Sequence, residues 1–469
     1  MGWGLRTGTV LWVGLALVGC SDGGSSAVFD SNSASGSAGE TGPGSGAPTD
    51  GDDSGPGSSS PSGGAGSAED SGADESSTGD DIDIKLDVGS PEGGFGSCEC
   101  ELTYLWVADA QQGTVSKINT RTMVEEGRYL TRADGTGNPS RTSVNLSGDV
   151  AVANRHGGLT KFYANPDNCQ DTNGIPGIQT STGPDDVLPW DQEECRAWFA
   201  DFPVTNQRPV AWTGDTTAPG NCDASVAQVW TVASTVPGLF PGTGGAGGVT
   251  AYLVDGETGM IDEQVDIPDF PGGSFGAYGG AVDGAGNLYF SPLGGLGAAL
   301  LARVDRDTLD YTIWEIPAGI APYGITVDHK GRVWLASTFG SIAGRFDPGT
   351  ETWGVVEGLG GGSGLAEGPN DLMYVSQGDN VLAVQIDDLS VQGTWTTDET
   401  VKGVSFDADG FLWAVTQRDD EDPNSSAAAF KIDVETMTTD GVFTGLQDPY
   451  TYSDMTGNAL GSVACTPAG

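Results

Sequence analysis

The stretch Pro322 to Val356, PYGITVDHKGRVWLASTFGSIAGRFDPGTETWGVV, holds every feature of a unit that recurs through the last two-thirds of the chain. ITV alternates toward a buried face, DHKG supplies a tight turn, and RVWLAS is an apolar run rich in β-branched and aromatic residues. SIAGRFD then leads through DPGT to TWGVV. This patterning predicts four short strands in succession and no helix.

Gly324 anchors a frame in which Asp328 follows at four residues, Gly331 at seven and Trp334 at ten. The frame repeats at Gly279 (Asp283, Gly286, Tyr289) and Gly403 (Asp407, Gly410, Trp413), and in part at Gly364 (Tyr374) and Arg141 (Asn145, Gly148). A second signature, Asp or Asn with Thr or Ser three later, marks the following hairpin. It reads Asn119/Thr122, Asp255/Thr258, Asp305/Thr308, Asp347/Thr350, Asp387/Ser390 and Asp433/Thr436. From Gly279 to Gly324 is 45 residues, then 40 to Gly364 and 39 to Gly403. Four strands at that period predict an all-β, seven-bladed β-propeller.

The ring needs a closing device. LTYLWVADA, GTVSKINTRT and VEEGRYLT match the second, third and fourth strands of a unit, so blade one lacks its first. At the other end Tyr450 to Leu460, YTYSDMTGNAL, is an extra strand with no successor. Placing it in blade one closes the propeller with a C-terminal strand and removes both sheet edges. Blade two starts near Arg141 and blade three near Arg208, which requires an insertion at about 165–196, at the turn from the third to the fourth strand of blade two.

Residues 1–20 carry one Arg, an apolar run from Val10 to Val18 and the ending Leu17-Val18-Gly19-Cys20. They read as a secretory signal whose end resembles the lipobox of bacterial lipoproteins. That resemblance implies lipidation of Cys20, and Ser21 after it favours the outer membrane of the cell envelope. Residues 21–97 are Gly, Ser, Asp, Pro and Thr with almost no apolar side chains, too few to offset the entropy of ordering, and predict a disordered acidic tether. The propeller would then occupy 98–469. A net charge of −46 argues against nucleic acid or an anionic membrane surface as a partner, which leaves the lipid anchor as the only membrane contact.

Six further cysteines, Cys98, Cys100, Cys169, Cys195, Cys222 and Cys465, predict three disulfides in an exported chain. Cys169 with Cys195 would close the insertion, and Cys465 would meet Cys98 or Cys100 at the ring closure. Cys98-x-Cys100 has neither zinc-site nor redox spacing.

The GPYGIT-like starts, D-x-x-G turns and VWLAS-like second strands resemble the propeller superfamily of virginiamycin B (streptogramin) lyase, NHL-repeat proteins and gluconolactonases. The resemblance spans roughly residues 103–460. It implies the fold; for the lyase it further implies second strands ending Trp-Phe-Thr-Glu, whose acids, with histidines, form a Mg²⁺-assisted proton-abstraction site. The matching positions here are Asp109, Asn154, Ala233, Pro292, Ser337, Gln377 and Thr416, only one of them acidic. The chain has two histidines: His156 in a second-to-third turn and His329 in a first-to-second turn, at opposite ends of a blade. His329 reads as a solvated turn residue. A non-catalytic binding module therefore fits best, the alternative being a metal-assisted lyase or hydrolase with a rebuilt site.

What the fold leaves over is the channel mouth. Arg141, Arg208, Tyr278, Tyr323, Lys402 and Tyr452 start the innermost strands, and Asp109, Asn154, Arg155 and His156 lie at or near the neighbouring turns. These cations and rings either hold a small anionic ligand or envelope partner through a carboxylate, phosphate or sugar acid, or fill the channel and bond backbone carbonyls. In the insertion, Asp171-Thr-Asn173-Gly174 with Ile178 and a late Asp185 or Asp186 resembles a degenerate Ca²⁺ loop, giving a possible structural Ca²⁺ and no other cofactor. No Ser nucleophile elbow, P-loop or Rossmann fingerprint occurs.

Overall fold

In the computed structural model the described residues are 103–465, apart from 203, 205, 216–226, 241, 296–298 and 418–426. The lipobox with Cys20, the tether, and Cys98, Cys100 and Cys222 lie outside them.

Seven antiparallel sheets follow one another in chain order. Blade one has three strands, β1 (Tyr104–Asp109), β2 (Thr114–Asn119) and β3 (Glu125–Leu130). Each later blade has four. Blade two holds β4 (Pro139–Val144), β5 (Val150–Asn154), β6 (Leu159–Phe162) and β7 (Arg196–Ala200), and blade three β8 (Val210–Trp212), β9 (Gln228–Ser234), β10 (Val249–Asp255) and β11 (Ile261–Ile267). Blade four holds β12 (Ala277–Val282), β13 (Leu288–Pro292), β14 (Leu300–Val304) and β15 (Tyr311–Glu315). The stretch that opened the sequence analysis is blade five, β16 (Ile320–Val327), β17 (Val333–Gly340), β18 (Ala343–Asp347) and β19 (Thr352–Val356). Blade six is β20 (Gly362–Gly368), β21 (Leu372–Gln377), β22 (Asn380–Gln385) and β23 (Val391–Thr396); blade seven is β24 (Val401–Phe406), β25 (Leu412–Thr416), β26 (Ala428–Asp433) and β27 (Thr438–Thr444). The chain is a seven-bladed β-propeller.

The repeat frame has a physical cause. Asp407 Oδ1 accepts from the backbone N–H groups of Asp409 and Phe411, while Oδ2 takes the indole N–H of Trp413 at 2.8 Å. Asp328 does the same for Lys330, Arg332 and Trp334, the last at 2.9 Å. In blades one and three the indole instead crosses to the next blade. Trp106 donates to Gly148 O at 3.1 Å and Trp230 to Gly286 O at 3.0 Å. Those glycines, like Gly331 and Gly410, sit at φ 76–85°, where a side chain would be strained. All four of these tryptophans are fully buried between blades.

The second signature is an Asx turn in five of its six positions, Asp255 Oδ1 for example accepting from Thr258 N. In blade six the register differs by two residues from the Asp387/Ser390 reading. Leu389 N bonds Gln385 O and Ser390 N bonds Asp388, while Asp387 pairs with Lys330 and Arg332 of blade five.

Closure also differs in detail. Residues 448–455 run along β1, with Ala110 N donating to Asp448 O, Tyr450 N to Ala108 O and Trp106 N to Met455 O. Only the Asp109–Pro449 pair forms a ladder bridge, and Asn458–Ala464 is a short helix, α1, where a continued strand was expected. Asp454 Oδ1 accepts from Thr456 N and Gly457 N, and Gly457 at φ 90° turns the chain into the helix.

The insertion lies between β6 and β7, and Cys169 and Cys195 are bonded across it. Cys465 is also disulfide-bonded.

Candidate functional site

The start of each innermost strand opens on one end of the central channel, and there four cations meet four tyrosines. Arg141 of β4 reaches across the lumen, its Nε and Nη2 donating to Tyr278 O at 3.1 and 2.8 Å. Its Cζ lies 3.0 Å from the Tyr452 ring centroid and 5.0 Å from that of Tyr278. Arg208, just before β8, stacks 5.0 Å from Tyr278 and 4.9 Å from Phe275. Asn206 fixes it by accepting from Nε at 2.8 Å, and Gly242 O accepts from Nη2 at 3.2 Å. Arg155 lies 4.2 Å over Tyr450, and Lys402 Nζ sits 4.8 Å from Tyr323 and 5.0 Å from Tyr450. The hydroxyls of Tyr278 and Tyr323 meet that of Tyr450 at 2.9 and 2.5 Å.

All three arginines and all four tyrosines are buried, while Lys402, Phe275, Leu293 and His156 are half-buried above them. Burial lowers the Arg141 pKa, and the strongest opposing influences are tyrosine hydroxyls rather than an acid. Among the described residues neither Arg141 nor Arg208 has a carboxylate partner. Nη1 of each, and the Tyr452 hydroxyl, are buried without a hydrogen-bond partner among the described residues. Burial holds the Tyr452 hydroxyl well above its ordinary pKa, so it stays a donor.

Asp109 and Asn154 do not face this cluster. Asp109 accepts from Ser116 Oγ at 2.7 Å and from the backbone of Gln447 and Asp448, pinning the closing segment to β1. Asn154 bonds Thr131 and Gly158 across adjoining turns. Both are taken by backbone donors and acceptors that the ring closure and the blade turns expose. His156 gives Nδ1 to Thr136 O at 2.6 Å at the edge of the mouth, and burial lowers its pKa. His329, expected in solvent, instead bonds Glu367 Oε1 of the next blade at 2.5 Å.

The Ca²⁺ reading of the insertion is not matched by its geometry. Asp171 accepts from Gly177 N, Asn173 from Ile175 N, and Asp185 is exposed. Glu194 takes the N–H groups of Thr172, Asn173 and Gln179 that a cation loop would leave to the metal's ligands. Among the described residues no three His, Cys, Asp or Glu side chains group as a metal site.

Tyr450 was missed, although it stands two residues before Tyr452, which in an extended segment places both rings on one side. Phe275 had no sequence signal, because it lies in a glycine-rich loop outside the repeat frame. Toward the other end of the channel a cavity of about 30 Å³, lined by Ser143, Thr326, Ser453, Asp454 and Leu460 among others, has room for one water.

These features define the chain as a propeller whose channel mouth is lined by cations and tyrosines. No protein-family model and no curated protein matches the sequence. Among solved structures, a streptogramin B lyase superposes with a TM-score of 0.47 at 12% identity, over 69% of this chain and 93% of that one. Virginiamycin B lyase from Staphylococcus aureus gives 0.39 at 14%, over 52% and 73%, and apo AztD from Citrobacter koseri 0.45 at 10%, over 75% and 97%. At such identities a likeness bears on fold alone, and the seven sheets carry the fold by themselves.

Proposed function

We propose that the protein is a lipid-anchored component of the bacterial envelope whose propeller binds a small anionic ligand at the channel mouth without turning it over. The observation that supports this is the pair of guanidinium groups, Arg141 and Arg208, each buried with Nη1 unpartnered among the described residues, together with the unpartnered hydroxyl of Tyr452, the ring on which Arg141 stacks. A buried cation lacking a counter-charge is costly, and an anion accepting from these three donors relieves the cost through charge-assisted bonds. Binding without turnover is favoured because Asp109 and Asn154, two of the residues matching the lyase acid positions, are engaged elsewhere. The cell-envelope location rests on the lipobox resemblance, and the tether on composition.

The test is thermal unfolding of the chain from Ser97 onward in rising phosphate, citrate and acetate at constant ionic strength. A ligand at 100 times its Kd stabilises by about 2.7 kcal/mol, so at least one anion should raise Tm by several degrees. Arg208→Gln should remove that rise. An unchanged Tm for every anion would sink the proposal.

A further inference from the structure

We infer that the anion taken at the mouth is amphiphilic: one carboxylate or phosphate carried on an apolar body, the head set between Arg141 and Arg208 and the body laid on the turn formed by residues 236–240. This rests on the anion reading above and narrows it.

The three most exposed large apolar side chains among the described residues are Leu239 (97%), Leu359 (82%) and Phe240 (73%). Leu239 and Phe240 lie between the second and third strands of blade three, and Leu359 between the last strand of blade five and the first of blade six. Both connections open on the mouth face, where exposed Phe339 also stands near the end of β17. Of the twelve exposed large apolar side chains among the described residues, Val236, Leu239, Phe240, Phe339 and Leu359 stand on this face, the three most exposed among them, and such a set marks a contact surface.

The turn is held in place and touches the cationic well. Gly238 N donates to Thr243 O at 2.8 Å, Gly245 N to Val236 O at 2.7 Å and Thr243 Oγ1 to Phe240 O at 2.7 Å. A few residues on, Gly242 O accepts from Arg208, and a Cβ added at Gly242 would meet His156 at 3.3 Å and Arg155 at 3.4 Å. One short segment therefore presents apolar side chains outward and bonds a buried guanidinium inward. A bare inorganic ion would leave the outer half uncovered.

Charge narrows the occupant further. With a net charge of −46, the molecule repels an anionic bilayer or polyanion. Half-buried Phe275 packs on Arg208, its ring centroid 4.9 Å from the guanidinium carbon. Phe275 sits between Ser274 at φ 56° and Gly276 at φ 54°, and a Cβ at Gly276 would come within 2.7 Å of Asn206, the residue that fixes Arg208. Non-glycine backbone in the left-handed region is strained, and such strain gathers at ligand clamps.

The test is calorimetric titration of the folded chain with hexanoate, decanoate and decyltrimethylammonium. Decanoate should bind at least about tenfold tighter than hexanoate, since each buried methylene contributes about 0.8 kcal/mol. The double variant Leu239→Ser, Phe240→Ser should bring the two acids within about twofold. Arg208→Gln should weaken both; should it fail to fold, Lys402→Gln at the half-buried edge replaces it, with the same expectation. Equal binding of the two acids by the wild type would overturn the amphiphile and leave the anion reading standing. Binding of neither acid, with phosphate and citrate also inert, would overturn both, and decyltrimethylammonium binding as tightly as decanoate would overturn the role given to the arginines.

Discussion

Asp407 shows how much one residue of the repeat does. It ties its own turn through two backbone N–H groups, and it neutralises the indole N–H of Trp413, a ring with no exposed surface. Burial raises its pKa, against the bonds it accepts and the ammonium of Lys431 at 3.8 Å. Asp407→Ala leaves the indole and both amides without acceptors, so a loss of about 2–4 kcal/mol is expected. Asp407→Asn keeps an acceptor and should lose less than half of that. Denaturant unfolding measures both, and an alanine variant as stable as wild type would contradict the role assigned. The Asp at four and the aromatic at ten were legible in the sequence as a pattern. Their mutual bond was not, because spacing alone does not say which way an indole turns. Blades one and three show the ambiguity, since there the same ring crosses to the next blade's glycine.

The closing segment, residues 448–455 with helix α1, is the element on which the ring depends, and two buried carboxylates hold it. Asp109 accepts from the backbone of Asp448 and of Gln447 just before the segment, and Asp454 caps the turn into the helix. Burial pushes both pKa values up to about 6. A folded-state pKa above the unfolded one means that the neutral acid suits the fold. That contribution is fully present below pH 4 and is lost as pH rises through 6. Asp454→Asn, which is neutral throughout, should therefore match wild type near pH 4 and gain on it up to pH 6–7. The gain, on the order of 2–3 kcal/mol, follows from a shift of about two pK units. A Tm difference that stays flat between pH 4 and 7 would contradict this account. Closure by the C-terminal residues could be read from the missing first strand of blade one. The helix could not, since YTYSDMTGNAL alternates well enough to pass for a strand until Asp454 and Gly457 are seen to stop it.

At the scale of the whole molecule, the seven-blade ring followed from the 39–45-residue period because that period is set by turn chemistry that each blade must repeat. The mouth was legible only in part. Arg141, Arg208, Tyr278, Tyr323 and Lys402 stand at repeat-defined positions, so topology alone places them at one end of the channel. Asp109 and Asn154 also stand at repeat-defined positions, but their side chains are claimed by the closing segment and by a neighbouring turn, contacts that a repeat frame does not contain. Phe275 and the residues 236–240 turn lie in loops whose length is particular to their blades, where no periodic signal exists.

The most direct measurement of the central claim is a crystal of the propeller soaked in bromide, with anomalous scattering collected at the bromine edge. The account predicts an anomalous peak within hydrogen-bond reach of Arg141 Nη1, Arg208 Nη1 and the Tyr452 hydroxyl. A channel mouth with no peak there, its guanidinium groups bonded only to water or carbonyl oxygens, would contradict it and leave the cations as a plug of the fold.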